Sequence, residues 1–309
     1  MKTNKIIVIG SSNTDMVIKS DRLPVPGETI LGNEFIMNPG GKGANQAVAV
    51  ARLGGDVTLI SKTGNDLFGK QSLDLFDAEG IKTNYIFSDP KNPSGVALIM
   101  VDSQGENCIV VASGANATLS PKDIDKAKFE IETASLILMQ LEIPIKTVEY
   151  VANIAHQHGI KVILNPAPAC VLSNELLEHI YLLVPNKTES EILSGIKITD
   201  WESAKKAANI ISLKGVKNVV ITLGSQGVLI KENDQYYEVD AYKVNAIDTT
   251  AAGDTFCGAL CVGLSENMTL LESVQLANKA SAITVTRLGA QSSIPYREEL
   301  SIIRNSLKK

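Results

Sequence analysis

Two short segments carry the residues best suited to chemistry. In IDTTAAGDTFCGAL, Ile247 to Leu260, the small residues Ala251, Ala252 and Gly253 precede Asp254 where a helix is predicted to begin. Small side chains there leave backbone N–H groups free to receive an anion such as a phosphate. For an isolated Gly-Asp pair the ordinary reading is a first-turn acid favoured by the helix dipole. A carboxylate beside an anion hole has a second use. It can take the proton of an attacking hydroxyl while the N–H groups stabilise charge on a transferring phosphoryl. The other segment, PGGKGANQAVAVARLGG, Pro39 to Gly55, sets Gly40, Gly41 and Gly43 before a helix whose apolar residues include Ala47, Val48, Val50 and Ala51. It is not a Walker A loop, because Gly43 rather than Ser or Thr follows Lys42, and it is not a GxGxxG dinucleotide turn. A tight capped turn accounts for the glycines alone about as well as a binding loop does. Lys42 and Asn45, which can bond hydroxyls or phosphate, tilt the balance to function.

The elements that would position these groups alternate in a βαβ pattern after residue 114, the mark of a parallel sheet. Strands are predicted at Ile6 to Ile9, Ser135 to Leu141, Lys161 to Leu164, Tyr181 to Val184 and Asn218 to Ile221. Helices are predicted from Pro121 to near Thr133, with Ser120 as cap, over Lys146 to His158, from Thr188, and from about Glu202. Ligands of such sheets bind beyond the carboxyl ends of the strands. Polar residues occur at five of those ends: Asn13 and Asp15, Glu142, Asn165, Asn186, and Thr222 with Gly224. One would be a turn residue; five from one edge favour a polar small-molecule site. Before residue 114, LPVPGET and the hairpin Gly95 to Val101 and Cys108 to Ala112 around DSQGEN predict a small antiparallel sheet. Both faces of Val96 to Val101 are apolar, so this sheet is expected to cover the main domain on one side and a second subunit on the other.

Composition limits the alternatives. The 309 residues, 44% hydrophobic, can bury a full core without metal or disulfide. With 29 basic against 34 acidic residues, a net charge of -5 lacks the basic excess used on nucleic acid. No apolar run reaches the length of a membrane span, and the run after MKTNK is too short for a signal peptide, so a cytoplasmic protein is expected. Cys108, Cys170, Cys257 and Cys261 form no CxxC pair and read as four buried, reduced thiols. His156, His158 and His179 have no metal-ligand spacing.

With both segments in view, the chain resembles the PfkB, or ribokinase, family of carbohydrate kinases over nearly its whole length. GGKGAN at Gly40 to Asn45 is similar to the family's first signature and DTTAAGDTFCGA at Asp248 to Ala259 to its second. GSSNTD, MQLE, LNPAPA, PNKTESE and TLGSQG fall in the family's order and spacing. The resemblance implies an α/β, ribokinase-like fold: one domain over residues 1–309, a mainly parallel central sheet flanked by helices, and a β-sheet lid from about 13–41 and 91–113. It also implies ATP-dependent phosphorylation of D-ribose at its 5-hydroxyl, with magnesium, and a homodimer formed through the lid.

Carried over by position, the resemblance implies that Asn13, Asp15, Gly41, Lys42, Asn45 and Glu142 hold the sugar. Asp254 is then the base, and Ala251, Ala252 and Gly253 shape the anion hole. Asn186, Glu189, Thr222, Gly224, Ser225, Gly227 and Asn278 match nucleotide positions, Asn186 and Glu189 forming the NxxE motif linked to magnesium and phosphate. Asp248, Thr250, Thr284, Arg287, Gly289 and Ser293 match a monovalent-cation site for which potassium is expected. Cys257 stands where the second signature often has Asn, and Pro39 replaces an apolar or aromatic residue. Neither removes a proposed catalytic group.

Deoxyribose, fructose and nucleosides compete with ribose. Asn13 can bond the 2-hydroxyl that deoxyribose lacks, which favours ribose. A non-catalytic sugar or nucleotide sensor on the same fold is a different class, but Asp254 and the anion hole are intact. A nicotinamide-dependent oxidoreductase would need the absent GxGxxG turn.

Overall fold

A computed structural model describes residues 4–301. Its strands are β1 (Lys5–Ile9), β2 (Asn13–Lys19), β3 (Glu34–Gly40), β4 (Asp56–Gly64), β5 (Lys82–Asp89), β6 (Gly95–Val101), β7 (Asn107–Ala112), β8 (Leu136–Met139), β9 (Lys161–Leu164), β10 (Leu182–Leu183), β11 (Asn218–Thr222), β12 (Val228–Glu232) and β13 (Gln235–Val239). The α-helices are α1 (Lys42–Arg52), α2 (Leu67–Ala78), α3 (Pro121–Lys126), α4 (Lys128–Glu132), α5 (Ile145–Gln157), α6 (Asn174–Glu178), α7 (Lys187–Ser194), α8 (Trp201–Leu213), α9 (Ala252–Ser265) and α10 (Leu270–Thr284).

Nine strands form the central sheet in the order β13-β12-β11-β10-β9-β8-β1-β4-β5, parallel from β11 to β5, with β11–β12 and β12–β13 antiparallel at one edge. Strand β1 shows why the sheet is covered on both faces. Ile6 and Val8 enter one apolar cluster, with residues of α1, α9 and α10, while Ile7 and Ile9 enter the other, with residues of α3 to α8. A strand without polar alternation has no face for water, and burying each of those isoleucines contributes about 2 kcal/mol.

The second sheet has the order β3-β2-β6-β7. Its two hairpins are antiparallel as expected, but β2 and β6 pair in parallel, which corrects the expectation of a wholly antiparallel sheet. The reason is where the hairpins start: β2 follows β1 and β6 follows β5, and β1 and β5 run in the same direction. Pro39 lies in β3, an edge strand, where a missing N–H need not break a ladder. The register puts Met16, Ile18, Phe35, Met37, Leu98 and Val110 on one face of this sheet and Asp15, Asn38, Ala97 and Val111 on the other. Ile18, Phe35, Met37, Leu98 and Val110 are all exposed.

Other expectations are corrected in detail. The helix over 121–133 is two helices broken at Ala127, and the strand over 135–141 is the shorter β8. Asn13 and Asp15 belong to β2 of the small sheet rather than to a loop of the large one. Cys257 and Cys261 are buried in the core, but Cys108 and Cys170 are exposed. The unit β4-α2-β5 and the β12–β13 hairpin, both part of the large sheet, lie outside the predicted pattern. Among the described residues no helix is long and apolar enough to cross a membrane, and no three His, Cys, Asp or Glu side chains gather to hold a metal ion.

Candidate active site

The two glycine-rich segments, about 200 residues apart, meet because α1 and α9 pack side by side. Gly258 makes that approach possible, and Gly43 lets the start of α1 sit against the turn after β1. A Cβ on Gly43 would lie 2.5 Å from the backbone of Gly10 and Ser11, and one on Gly258 would lie 2.5 Å from the Cβ of Ala49. Gly41, with φ of 88°, turns the chain from β3 into α1 in the left-handed region that favours glycine. Gly40 has no Cβ because the Asp15 carboxylate occupies that space.

At this junction Asp254, in the first turn of α9, is 7% exposed. Asn45 Nδ2 donates to its Oδ2 at 2.9 Å and Gln46 Nε2 donates to its Oδ1 at 3.0 Å. Ala251, the residue before the helix, adopts the left-handed conformation at φ 58°, a strained choice for alanine that sets the entry angle of α9. The N–H groups of a helix's first turn have no carbonyl one turn earlier, so those of Gly253 and Asp254 are available to an anion. Beyond its chain neighbours and its own turn of helix, no atom of the described residues comes within 4 Å of the position a Gly253 Cβ would take.

A cavity of about 200 Å³ opens beside this turn. It is lined by Ala251, Gly253, Asp254 and Cys257 of the second segment and by Lys42, Asn165, Asn186, Glu189 and Thr222. Asn186 caps α7: its Oδ1 accepts from the Glu189 N–H at 2.8 Å, and the Glu189 carboxylate accepts from the Asn186 N–H and Nδ2 at 2.8 and 2.9 Å. Glu189 is therefore the first-turn acid its sequence position suggests and also a wall of the cavity. A second cavity, of about 390 Å³, lies under the small sheet and is lined by Asn13, Val111, Asn116, Glu142 and Pro168, among others. Glu142 joins the two, since its Oε2 accepts from the Lys42 N–H at 3.0 Å and from Ser11 Oγ at 2.5 Å.

Lys42 opens α1, with its side chain largely enclosed among carboxylates. The neighbouring Asp254, with Glu142 and Glu189, pushes its ammonium above the usual lysine range against the opposing effect of burial. Burial pushes the Asp254 carboxyl upward, opposed by Lys42, Asn45 and Gln46. Burial also raises Glu189. Asp15 is pushed up to about 6 by burial and by the charges of Glu142 and Asp254. A cluster with more negative than positive charge is thus closed around one lysine.

The remaining predicted residues divide into two groups. Gly224, Ser225 and Gly227 make the turn after β11, while Asn278 of α10 donates to the Asp240 carbonyl at 2.9 Å just beyond β13. The turn directly follows Thr222 of the first cavity, and its Gly227 packs against the 239–241 stretch that Asn278 binds. Asp248, Thr250 and Gly289 come together: one Asp248 oxygen accepts from Thr250 N–H at 2.9 Å and from Thr250 Oγ1 at 2.6 Å, the other from Gly289 N–H at 2.9 Å. Burial opposes these bonds, but the bonds prevail and hold the Asp248 carboxyl below its usual range. The loop is tied to Thr284's neighbour, since Ile247 and Asp248 both donate to the Val285 carbonyl. Arg287 N–H bonds the Thr284 carbonyl, and Ser293 Oγ donates to Ala290.

Sequence reasoning missed Ser11, Gln46, Asn116 and Gln140. Asn116 Nδ2 donates to Asn13 Oδ1 at 2.8 Å, so Asn13 turns its own N–H₂ to the second cavity. The signal for Gln46 and Gln140 is a glutamine in each of two otherwise apolar runs, QAVAVA and LILMQL.

The pfkB family carbohydrate kinase model matches residues 3–297. A ribokinase of Haemophilus influenzae is 46% identical over 294 residues, covering 95% of this chain and 96% of that protein. A deoxyribokinase of Salmonella typhimurium is 37% identical over 297 residues, covering 96% and 97%. The Arabidopsis thaliana ribokinase, solved with ribose and ATP, superposes with a TM-score of 0.89 at 32% identity, covering 96% of this chain and 97% of that one.

Proposed function

The chain belongs to the pfkB family of carbohydrate kinases, and from that premise we propose that it transfers the γ-phosphoryl of ATP to the 5-hydroxyl of D-ribose. The observation that carries this reading is Asp254: a buried carboxylate, fixed by two amides, at a helix N-terminus that opens on a polar cavity. In the proposed mechanism the second cavity holds ribose through Asn13, Asp15, Gly41, Asn45 and Glu142. Asn45 Oδ1, which is buried and without a partner among the described residues, is an acceptor waiting for a sugar hydroxyl. The first cavity holds the phosphates, with the nucleotide running along Asn186, Thr222, Gly224, Ser225, Gly227 and Asn278. Asp254 takes the 5-hydroxyl proton as the oxygen attacks in line, while Lys42 and the N–H groups of Gly253 and Asp254 receive charge from the phosphoryl oxygens.

The polar walls formed by Asn165, Asn186 and Glu189 suit a magnesium ion that keeps most of its waters and rides on the nucleotide. Bound there, the ion neutralises phosphate charge. Asp248, kept ionised and bonded to Thr250 and Gly289, suits a monovalent cation, which we assign as potassium, with carbonyls of Thr250, Thr284, Arg287 and Gly289 and the Ser293 hydroxyl as the other donors. Its part is to hold the 248–251 loop that sets the start of α9. The exposed apolar face of the small sheet supports a dimer, with residues 13–41 and 91–113 as a lid over the sugar.

The test is an ATP-coupled assay over ribose, 2-deoxyribose, fructose and ribonucleosides, with the phosphorus spectrum of the product. Ribose is expected to have the highest kcat/KM and to yield a 5-phosphate. A higher value for another acceptor, or a 1-phosphate, would overturn the assignment. The presence of a deoxyribokinase among the relatives makes 2-deoxyribose the sharpest competitor.

A further inference from the structure

We propose that Gln46 is a positioning residue for the general base, and that a one-way chain of side-chain amides fixes which end of its carboxamide meets Asp254. The inference rests on the reading of Asp254 as base. The chain starts at a group that can only accept. Asn165 Nδ2 donates to the Val184 carbonyl at 2.9 Å, so Asn165 Oδ1 faces Gln46 and needs a donor. Gln46 Nε2 supplies it at 3.3 Å and with the same group donates to Asp254 Oδ1 at 3.0 Å. Gln46 Oε1 is then left to accept, and Gln140 Nε2 donates to it. The chain ends at Gln140 Oε1, which is buried against Gly10 and has no partner among the described residues. Gln46 and Gln140 are both 0% exposed.

The polarity matters because a reversed Gln46 amide would turn an oxygen to the Asp254 carboxylate and repel it. As built, Asn45 and Gln46 each take one carboxylate oxygen. The side chain is held in one rotamer while each oxygen keeps a further lone pair for a substrate hydroxyl. The unpaired Gln140 oxygen marks a cost accepted at the far end of the chain rather than at the base. The charged groups around Asp254 are Lys42 on α1, Glu142 after β8 and Asp15 on β2, with Glu189 on α7 beside Lys42. None of them donates to Oδ1, so the loss of Gln46 is not made good by a neighbour.

The test compares pH profiles of kcat for wild type, Gln46→Leu and Gln140→Met, with ribose KM measured alongside. Gln46 donates to the ionised base and so favours it. Without that bond Asp254 ionises at higher pH, and the acid limb moves up. Gln46→Leu is expected to lower kcat about 10- to 100-fold, to leave ribose KM within about threefold, and to move the limb up by about one unit. Gln140→Met, which frees the acceptor end, is expected to move the limb the same way by less. The limb is read from the shape of the profile and does not depend on the fraction folded. If Gln46→Leu does not fold, Gln140→Met decides. An unmoved limb, or a raised KM with kcat unchanged, would overturn the inference and leave Gln46 a packing or binding residue. Asp254→Asn in the same assay separates the two readings. Retained turnover in that variant defeats the base assignment itself, whereas lost turnover with an unmoved Gln46→Leu limb defeats only the positioning role.

Discussion

Asp15 shows how the site holds charge that folding alone would not choose. Its carboxyl ionises near 6 in the folded protein and near 3.9 in an unfolded chain. Above pH 6 both states are ionised and the native state carries the full penalty. Between 6 and 4 the native state takes up a proton before the unfolded state does, so the penalty shrinks as pH falls, and below 4 it is gone. Asp15→Asn is therefore expected to stabilise the ligand-free protein by about 3 kcal/mol at pH 8 and by little at pH 4, as read by urea unfolding. An equal difference at both pH values would mean that burial and the neighbouring charges do not act on Asp15 as described. Residues of this kind were legible in the sequence when their type and motif carried the chemistry, as for Asp254, Lys42 and Asn45. Gln46, Gln140 and Asn116 were not, because their meaning lies in partners about 100 to 200 residues away: Asp254 for Gln46, Gln46 for Gln140, and Asn13 for Asn116.

At the scale of elements, the site depends on how closely α9 approaches α1. Alanine is a better helix former than glycine by about 1 kcal/mol, so propensity alone makes Gly258→Ala stabilising. The new Cβ would meet Ala49 Cβ at 2.5 Å and the Gln46 carbonyl at 3.0 Å. Overpacking is expected to prevail, lowering stability by about 1–3 kcal/mol and lowering kcat, because α9 carries Asp254 away from Asn45 and Gln46. A variant as stable and active as wild type would show that the contact gives way freely. The loop before α9 has its own test. With potassium replaced by sodium, turnover is expected to fall, and Asp248→Ala is expected to be slow in both salts; equal wild-type rates in the two salts would remove the cation from the account. The strands and helices after residue 114 were legible because apolar runs alternate there with helical periods. The unit β4-α2-β5 was not, since it is enclosed between the two hairpins of the small sheet, whose texture masks it. The parallel β2–β6 pair could not be read at all, because pairing direction follows from where two distant hairpins leave the large sheet.

Across the whole molecule the small sheet presents one face to the second cavity, the proposed sugar site, and an apolar face outward. Five side chains on that outer face, Ile18, Phe35, Met37, Leu98 and Val110, are exposed, and the proposed dimer would bury them against a second copy. A charge placed at its centre, Leu98→Glu, is expected to give a monomer in sedimentation equilibrium where the parent chain is a dimer. A parent chain that sediments as a monomer would leave the face as a lid alone. The central claim is that Asp254 takes the proton of a sugar hydroxyl. It is tested most directly by measuring kcat together with ribose affinity for Asp254→Asn. The account predicts a fall in kcat of at least about 100-fold with ribose affinity kept within a few fold. Turnover within a few fold of wild type would contradict it.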